Sequence, residues 1–142
     1  HQKHIKYILC PHCHPIPGEE VIGFKSQRNG ITLHKRNCKS AIALASHEGD
    51  SIVPVNFEED PEFLYPVRLI IRGIDRYHLL SDLIECITEQ QHLSMADLAT
   101  NTIDNIAECT IDFAIHSVRE LNEAIESINA IEGIDEVYRV YI

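Results

Sequence analysis

Cys10, Cys13, His34 and Cys38 form two short-spaced pairs, Cys10-x2-Cys13 and His34-x3-Cys38, separated by twenty residues. Zinc takes four nitrogen or sulfur ligands in a tetrahedron, and structural zinc sites draw them from pairs of this kind. His12 is an alternative to Cys10 as the fourth ligand, while Cys13, His34 and Cys38 are common to both sets. Without a metal, the same residues are buried thiols of a small ββα unit. Cys10-Pro11-His12-Cys13 also matches the tetrapeptide of thioredoxin-like oxidases. That chemistry needs the first thiol at a helix N-terminus. The following His14-Pro15-Ile16-Pro17-Gly18 cannot continue a helix, so the redox reading fails on its context.

Around these residues lies a second set, Lys25, Arg28, Lys35, Arg36 and Lys39, of the type that contacts phosphate in nucleic acids. The equally simple alternative is a solvated basic face. Cys86 and Cys109 fall on apolar faces and read as core thiols. Asp75-Arg76 reads as a helix cap with a paired arginine. No Ser/His/Asp set, phosphate-binding loop or dinucleotide fingerprint is present, so nothing builds a catalytic site.

The elements that must position these side chains are legible in part. Residues 5–9, 20–26, 31–34 and 51–57 read as strands, with Pro54 placing the last at an edge. Residues 10–18 form a knuckle, and the Gln27-Arg28-Asn29-Gly30 stretch ends in a hairpin signal. Asn37 is a candidate N-cap for a helix over 38–47. Residues 58–61 (Glu-Glu-Asp-Pro) mark a boundary, giving domains 1–60 and 61–142. In the second domain, residues 64–74 form a strand, and Asp75 caps a helix over 76–91 with Leu79, Leu80, Leu83, Ile84 and Ile87 on one stripe. Strands over 93–103 and 107–116 follow, joined by a turn at Asp104-Asn105. A helix over 118–131 and a strand over 134–142 end the chain. The order βαββαβ predicts an antiparallel four-stranded sheet with both helices on one face, a ferredoxin-like sandwich. The fold class is therefore α+β, a small ββα-type Cys/His zinc-finger-like subdomain followed by that sandwich.

Composition supports the division. The 142 residues carry a net charge of −10, which by itself argues against nucleic acid. Residues 1–40 nevertheless carry +5, and residues 41–142 carry −15. No apolar run approaches the ~20 residues that cross a bilayer, and no secretory leader is visible. Five cysteines, an odd number in no regular framework, point to a reducing, cytoplasmic setting.

The block His12-Cys13-His14-Pro15-Ile16-Pro17-Gly18-Glu19, with Ile22-Gly23-Phe24, Gly30-Ile31-Thr32-Leu33-His34 and Cys38, resembles the C-terminal regulatory region of the long RelA/SpoT-type (p)ppGpp synthetase/hydrolases. The second domain, opening Asp75-Arg76-x-x-Leu79-Leu80 and closing on Gly133 to Val137, resembles that family's ACT domain, also called RRM. There are departures. The family's first paired cysteine is His12 here, with Cys10 an additional thiol. The ACT turn usually reads Asp-Arg-x-Gly-Leu-Leu, and His78 replaces that glycine, which argues against an amino-acid ligand at the turn. Phe57 stands where the family often has Trp. The resemblance implies a regulatory, non-catalytic region whose parent makes (p)ppGpp from ATP and GDP or GTP, or also hydrolyses it (a GTP diphosphokinase of the stringent response). It implies ribosome and ribosomal RNA contacts, contacts with the parent's own catalytic domains, and self-association. Amino-acid sensing by the ACT domain, or dimerisation alone, are the alternatives.

Overall fold

A computed structural model describes residues 7–25 and 30–141. The chain divides into two compact units, His1–Glu59 and Asp60–Ile142. Arg28 and most of the turn before Gly30 lie outside the described residues.

Among the described residues, the first unit is a four-stranded sheet in the order β1-β3-β2-β4, with one α-helix and a short 3-10 turn over Gly49–Ser51. Its strands are β1 (Tyr7–Leu9), β2 (Val21–Lys25), β3 (Ile31–Lys35) and β4 (Ile52–Val53), and its helix is α1 (Lys39–His47). The hairpin β2–β3 is antiparallel, with Ile22 opposite His34. β1 joins it in parallel, pairing Leu9 with Leu33. β4 is shorter than its sequence suggests, because Pro54 has no N–H to continue the ladder. Beyond the ladder, the Val55 side chain still lies against Gly23, where a Cβ would collide with Val55 and Ile31. Tyr7 and Phe57 meet edge to face at 6.1 Å. α1 begins one residue later than its pattern implies, with Cys38 rather than Asn37 as N-cap. A cluster of this unit's core consists of Cys10, Cys13, Phe24, Cys38 and Ala41, with Ile22 and Leu44 against it. Ile16 and Leu33 are buried as well, but the apolar core of so small a unit remains modest.

The second unit has the antiparallel order β6-β7-β5-β8. Its strands are β5 (Tyr65–Ile74), β6 (Ser94–Ile103), β7 (Ile106–Ile115) and β8 (Ile134–Val140); its helices are α2 (Leu79–Glu85) and α3 (Val118–Asn129). Asp104 and Asn105, with φ of 52° and 66°, form the tight turn between β6 and β7 and set Ile103 opposite Ile106. Alternation then buries Val67, Leu69 and Ile71 of β5 with Cys109, Ile111, Phe113 and Ile115 of β7. Leu79, Leu83, Leu121, Ala124 and Ile128 cover them from the helices. Each fully buried Leu, Ile or Phe contributes about 1.5–3 kcal/mol. Gly73 is required where β5 meets the turn before β8, since a Cβ there would lie 2.6 Å from the Gly133 carbonyl oxygen.

The start of α2 differs from the sequence pattern. Asp75 does not cap it; the Asp75 amide donates to the Asn105 carbonyl, and the N-cap is His78 in the left-handed region (φ 66°). The helix also widens into a π turn over Cys86–Gln90, which lets the adjacent Cys86 and Ile87 both face the core. α3 starts on Ser117, whose hydroxyl accepts from the Glu120 amide at 3.5 Å while Glu120 accepts from the His116 amide at 2.8 Å. Among the described residues, no helix is long and apolar enough to cross a membrane.

Candidate functional site

The knuckle, the end of β3 and the start of α1 converge on one point. Cys10 is fixed by its amide donating to the Leu33 carbonyl at 2.9 Å, and His14 closes the turn by donating to the Cys10 carbonyl at 3.0 Å. His14 takes a positive φ of 44° to do so. Cys10 therefore sits in a turn, not at a helix N-terminus, and the thioredoxin-like geometry is absent. β3 supplies His34, and the three residues to Cys38 bend the chain into α1 through the Cys38 amide bond to Lys35.

The ligand atoms of Cys10, Cys13, His34 and Cys38 all lie within 4.8 Å of one another, and all four residues are buried. His12, the alternative to Cys10, is exposed and stays outside the cluster. The sulfurs already have a set of N–H groups around them. The Lys35 amide donates to Cys13 Sγ at 3.2 Å. Burial pushes the Cys13 thiol up to about 12, and the neighbouring Cys10 and Cys38 thiols reinforce it against the Lys35 amide. At Cys38 burial also opposes ionisation, but the Ala41 amide, the Cys13 thiol and the Ser40 amide outweigh it, so that thiol is shifted down. Burial, and then His12, push His34 down and keep its imidazole neutral, the form that ligates a metal.

His34 supplies the test of fit. Both its ring nitrogens are buried without a hydrogen-bond partner, and its ring stands edge-on to Phe24 at 5.6 Å. A neutral imidazole with two orphaned nitrogens is costly in a protein interior. A cation held by the lone pair of one nitrogen, with three thiolates, removes that nitrogen's share of the cost. The donor set of three sulfurs and one nitrogen is that of a closed, structural zinc site. Zinc bound there would tie the knuckle, β3 and α1 together; with no open position it would supply cross-linking rather than catalysis.

The basic residues do not form one uniform face. Lys25, Arg36 and Lys39 are exposed. Lys35 is half-buried and ion-paired with Glu19 at 3.0 Å. The three arginines at the start of the second unit are spoken for. Arg68 makes a two-pronged pair with Asp112 at 2.6 and 2.8 Å. Arg72 lies 2.8 Å from Glu108 and 3.5 Å from Glu136. Arg76 bonds Asp82, the Glu132 carbonyl and the Tyr77 carbonyl. The sequence reading expected Arg76 to be paired, at a cap by Asp75, and its acid is instead Asp82. It missed the pairs of Arg68 and Arg72, because strand alternation places them outward without saying which acid faces each one.

Two family models match the chain. Residues 62–139 match the family model of the ACT domain, and residues 2–58 match that of the RelA/SpoT RIS domain. Among curated relatives, a bifunctional (p)ppGpp synthase/hydrolase RelA of Mycobacterium tuberculosis is 25% identical over 90% of the chain and 17% of its own length. A GTP pyrophosphokinase of Streptomyces coelicolor is 28% identical over 96% of the chain and 16% of its own length. The chain thus spans less than a fifth of these relatives. The ACT domain of a GTP pyrophosphokinase from Chlorobium tepidum superposes over 55% of this chain and all of its own, with a TM-score of 0.51 and 15% identity, a likeness of fold.

Proposed function

This chain belongs to the ACT domain family and carries a RelA/SpoT RIS domain ahead of its ACT domain, and from that premise we propose that it controls a (p)ppGpp synthetase, or synthetase/hydrolase, through contacts with the ribosome. It is the RIS and ACT regulatory region of that family, and it performs no chemistry of its own. The catalytic domains belong to the remainder of a longer cytoplasmic protein, a GTP diphosphokinase of the stringent response. The observation that carries the reading is the match of residues 2–58 to the RIS domain, within which Lys25, Arg36 and Lys39 stand exposed beside the Cys/His cluster. Zinc on Cys10, Cys13, His34 and Cys38 holds this small unit in the shape that presents those cations. Lys35, paired with Glu19, stiffens the unit more than it contacts RNA. The ACT unit contributes little to phosphate binding, since its overall charge is negative and Arg68, Arg72 and Arg76 are paired.

The test is charge reversal of Lys25, Arg36 and Lys39 in the full-length protein, followed by co-sedimentation with ribosomes over a salt series. Each lost phosphate contact should lower the steepness of the salt dependence by about one unit. Unchanged association and unchanged slope would sink the basic-face reading.

Self-association is the second reading, and the ACT sheet favours it. β6 is a ten-residue edge strand, and Ile74, Ile106 and Ile103 form an exposed row across β5, β7 and β6 on the helix-free face. A monomer mass that does not change with concentration would refute it.

A further inference from the structure

A cleft of about 400 Å³ opens in the first unit between β2 and the chain that follows β4. It is lined by residues 21–23, residues 52–55 and Arg36. It exists because Pro54 ends the β2–β4 ladder after two pairs, at Gly23–Val53 and Phe24–Ile52, so the chain leaves β2 rather than zipping along it. Its walls are valine, isoleucine and proline. Among the described residues, Arg36 is the one charged residue in its lining. The neighbouring Lys35 is held by Glu19, whereas no ion pair or hydrogen bond engages the Arg36 guanidinium among the described residues. Arg36 is set in place through its backbone, its amide donating to the Glu20 carbonyl at 3.0 Å.

We infer that this cleft is a binding site for a small aliphatic monocarboxylate, its carboxylate on Arg36 and its hydrocarbon against Val21, Val53 and Val55. A guanidinium presents a planar fork that matches a carboxylate in two parallel hydrogen bonds. Among the described residues no aromatic ring lines the cleft, so a nucleobase finds no stacking platform there. Among the described residues no acidic side chain lines it, so the ammonium of a free amino acid finds no charged partner there. The ligand class is therefore an aliphatic acid without an amine, from either of two sources, a short fatty acid or a branched 2-oxo acid. Arg36 is shared with the ribosome-binding reading, but the cleft does not rest on it: the titration is made without ribosomes, so either reading can fail while the other stands.

The test uses the 142-residue chain with labelled valine and isoleucine methyl groups. It is titrated in the presence of zinc with isocaproate, ketoisocaproate, neutral isocaproamide and leucine. The expected result is saturable shifts of the Val21, Val53 and Val55 methyls with one or both acids, at the millimolar affinity proper to so few atoms. The acid that binds more tightly identifies the source. Isocaproamide and leucine should bind about tenfold more weakly or not at all, and Arg36→Met, with the remaining methyl spectrum unchanged, should weaken the acid about tenfold. Methyl shifts with neither acid, equal binding of the amide, or an affinity unaffected in Arg36→Met would each overturn the site. So would much tighter binding of a peptide ending in Val-Ile with a free carboxylate, which would make the cleft a dock for a protein terminus.

Discussion

Replacing His34 with leucine separates a metal ligand from a misplaced core residue, because the two readings predict opposite signs. His34 is 5% exposed, and neither ring nitrogen has a hydrogen-bond partner. In the metal-free protein, each orphaned nitrogen costs at least ~1 kcal/mol, so a leucine of similar bulk recovers about 2 kcal/mol. The lost edge-to-face contact with Phe24 returns ~0.5–1.5 kcal/mol of that. The net expectation in chelator is that His34→Leu is more stable than the native chain by roughly 1 kcal/mol. With zinc the order reverses. Structural zinc contributes ~10–16 kcal/mol in small finger-like units, and loss of one of four ligands should remove several kcal/mol of it. The assay is urea unfolding of both chains, with zinc and with chelator, alongside elemental analysis. The native chain should hold one zinc per molecule and the variant substantially less. If His34→Leu is the more stable chain in zinc as well as in chelator, His34 is a buried histidine and not a ligand, and the account of the first unit is wrong.

Two more outcomes follow from the second unit. Arg68, first by hydrogen bonding and then by its charge, holds the Asp112 carboxyl below its ordinary value against the opposing effect of burial. A carboxylate with a depressed folded pKa adds stability above its unfolded pKa of ~3.9 and loses it as pH falls through the folded value. Asp112→Asn should therefore cost about 0.5–1 kcal/mol near neutrality, after allowance for solvent screening, and nothing at strongly acid pH. A cost in chemical denaturation that does not change with pH would contradict the pairing. At the other end of β5, His78 occupies a left-handed conformation that disfavours a side chain by ~1–2 kcal/mol, offset in part by its contacts with Tyr77 and Ser81. His78→Gly should raise the melting temperature of the ACT unit by a few degrees, corresponding to about 1 kcal/mol; a lower melting temperature would show that those contacts outweigh the strain.

How far these sites were legible depends on whether a residue's role is set by its neighbours in sequence or by its neighbours in space. The β7 alternation survives intact because Asp104-Asn105 fixes the hairpin register and the buried face fixes its side. The Cys/His pairs were legible for a similar reason. A two-residue spacing on a knuckle and a three-residue spacing at a strand–helix bend each bring candidate ligands together locally, and the β1–β3 pairing joins the two. The choice of Cys10 over His12 was not local. It depends on the Leu33 carbonyl capturing the Cys10 amide, which turns Cys10 inward and leaves His12 in solvent. The length of α2 was not local either. Its apolar stripe runs unbroken from Leu79 to Ile87, and periodicity alone cannot separate an α turn from a π turn that brings Cys86 and Ile87 to the core together. The Arg36 cleft shows the limit most clearly. Proline at position 54 announced an edge strand, but the cavity comes from where the chain goes once its ladder has ended. That path is set by Gly23, which has no side chain to keep Val55 away.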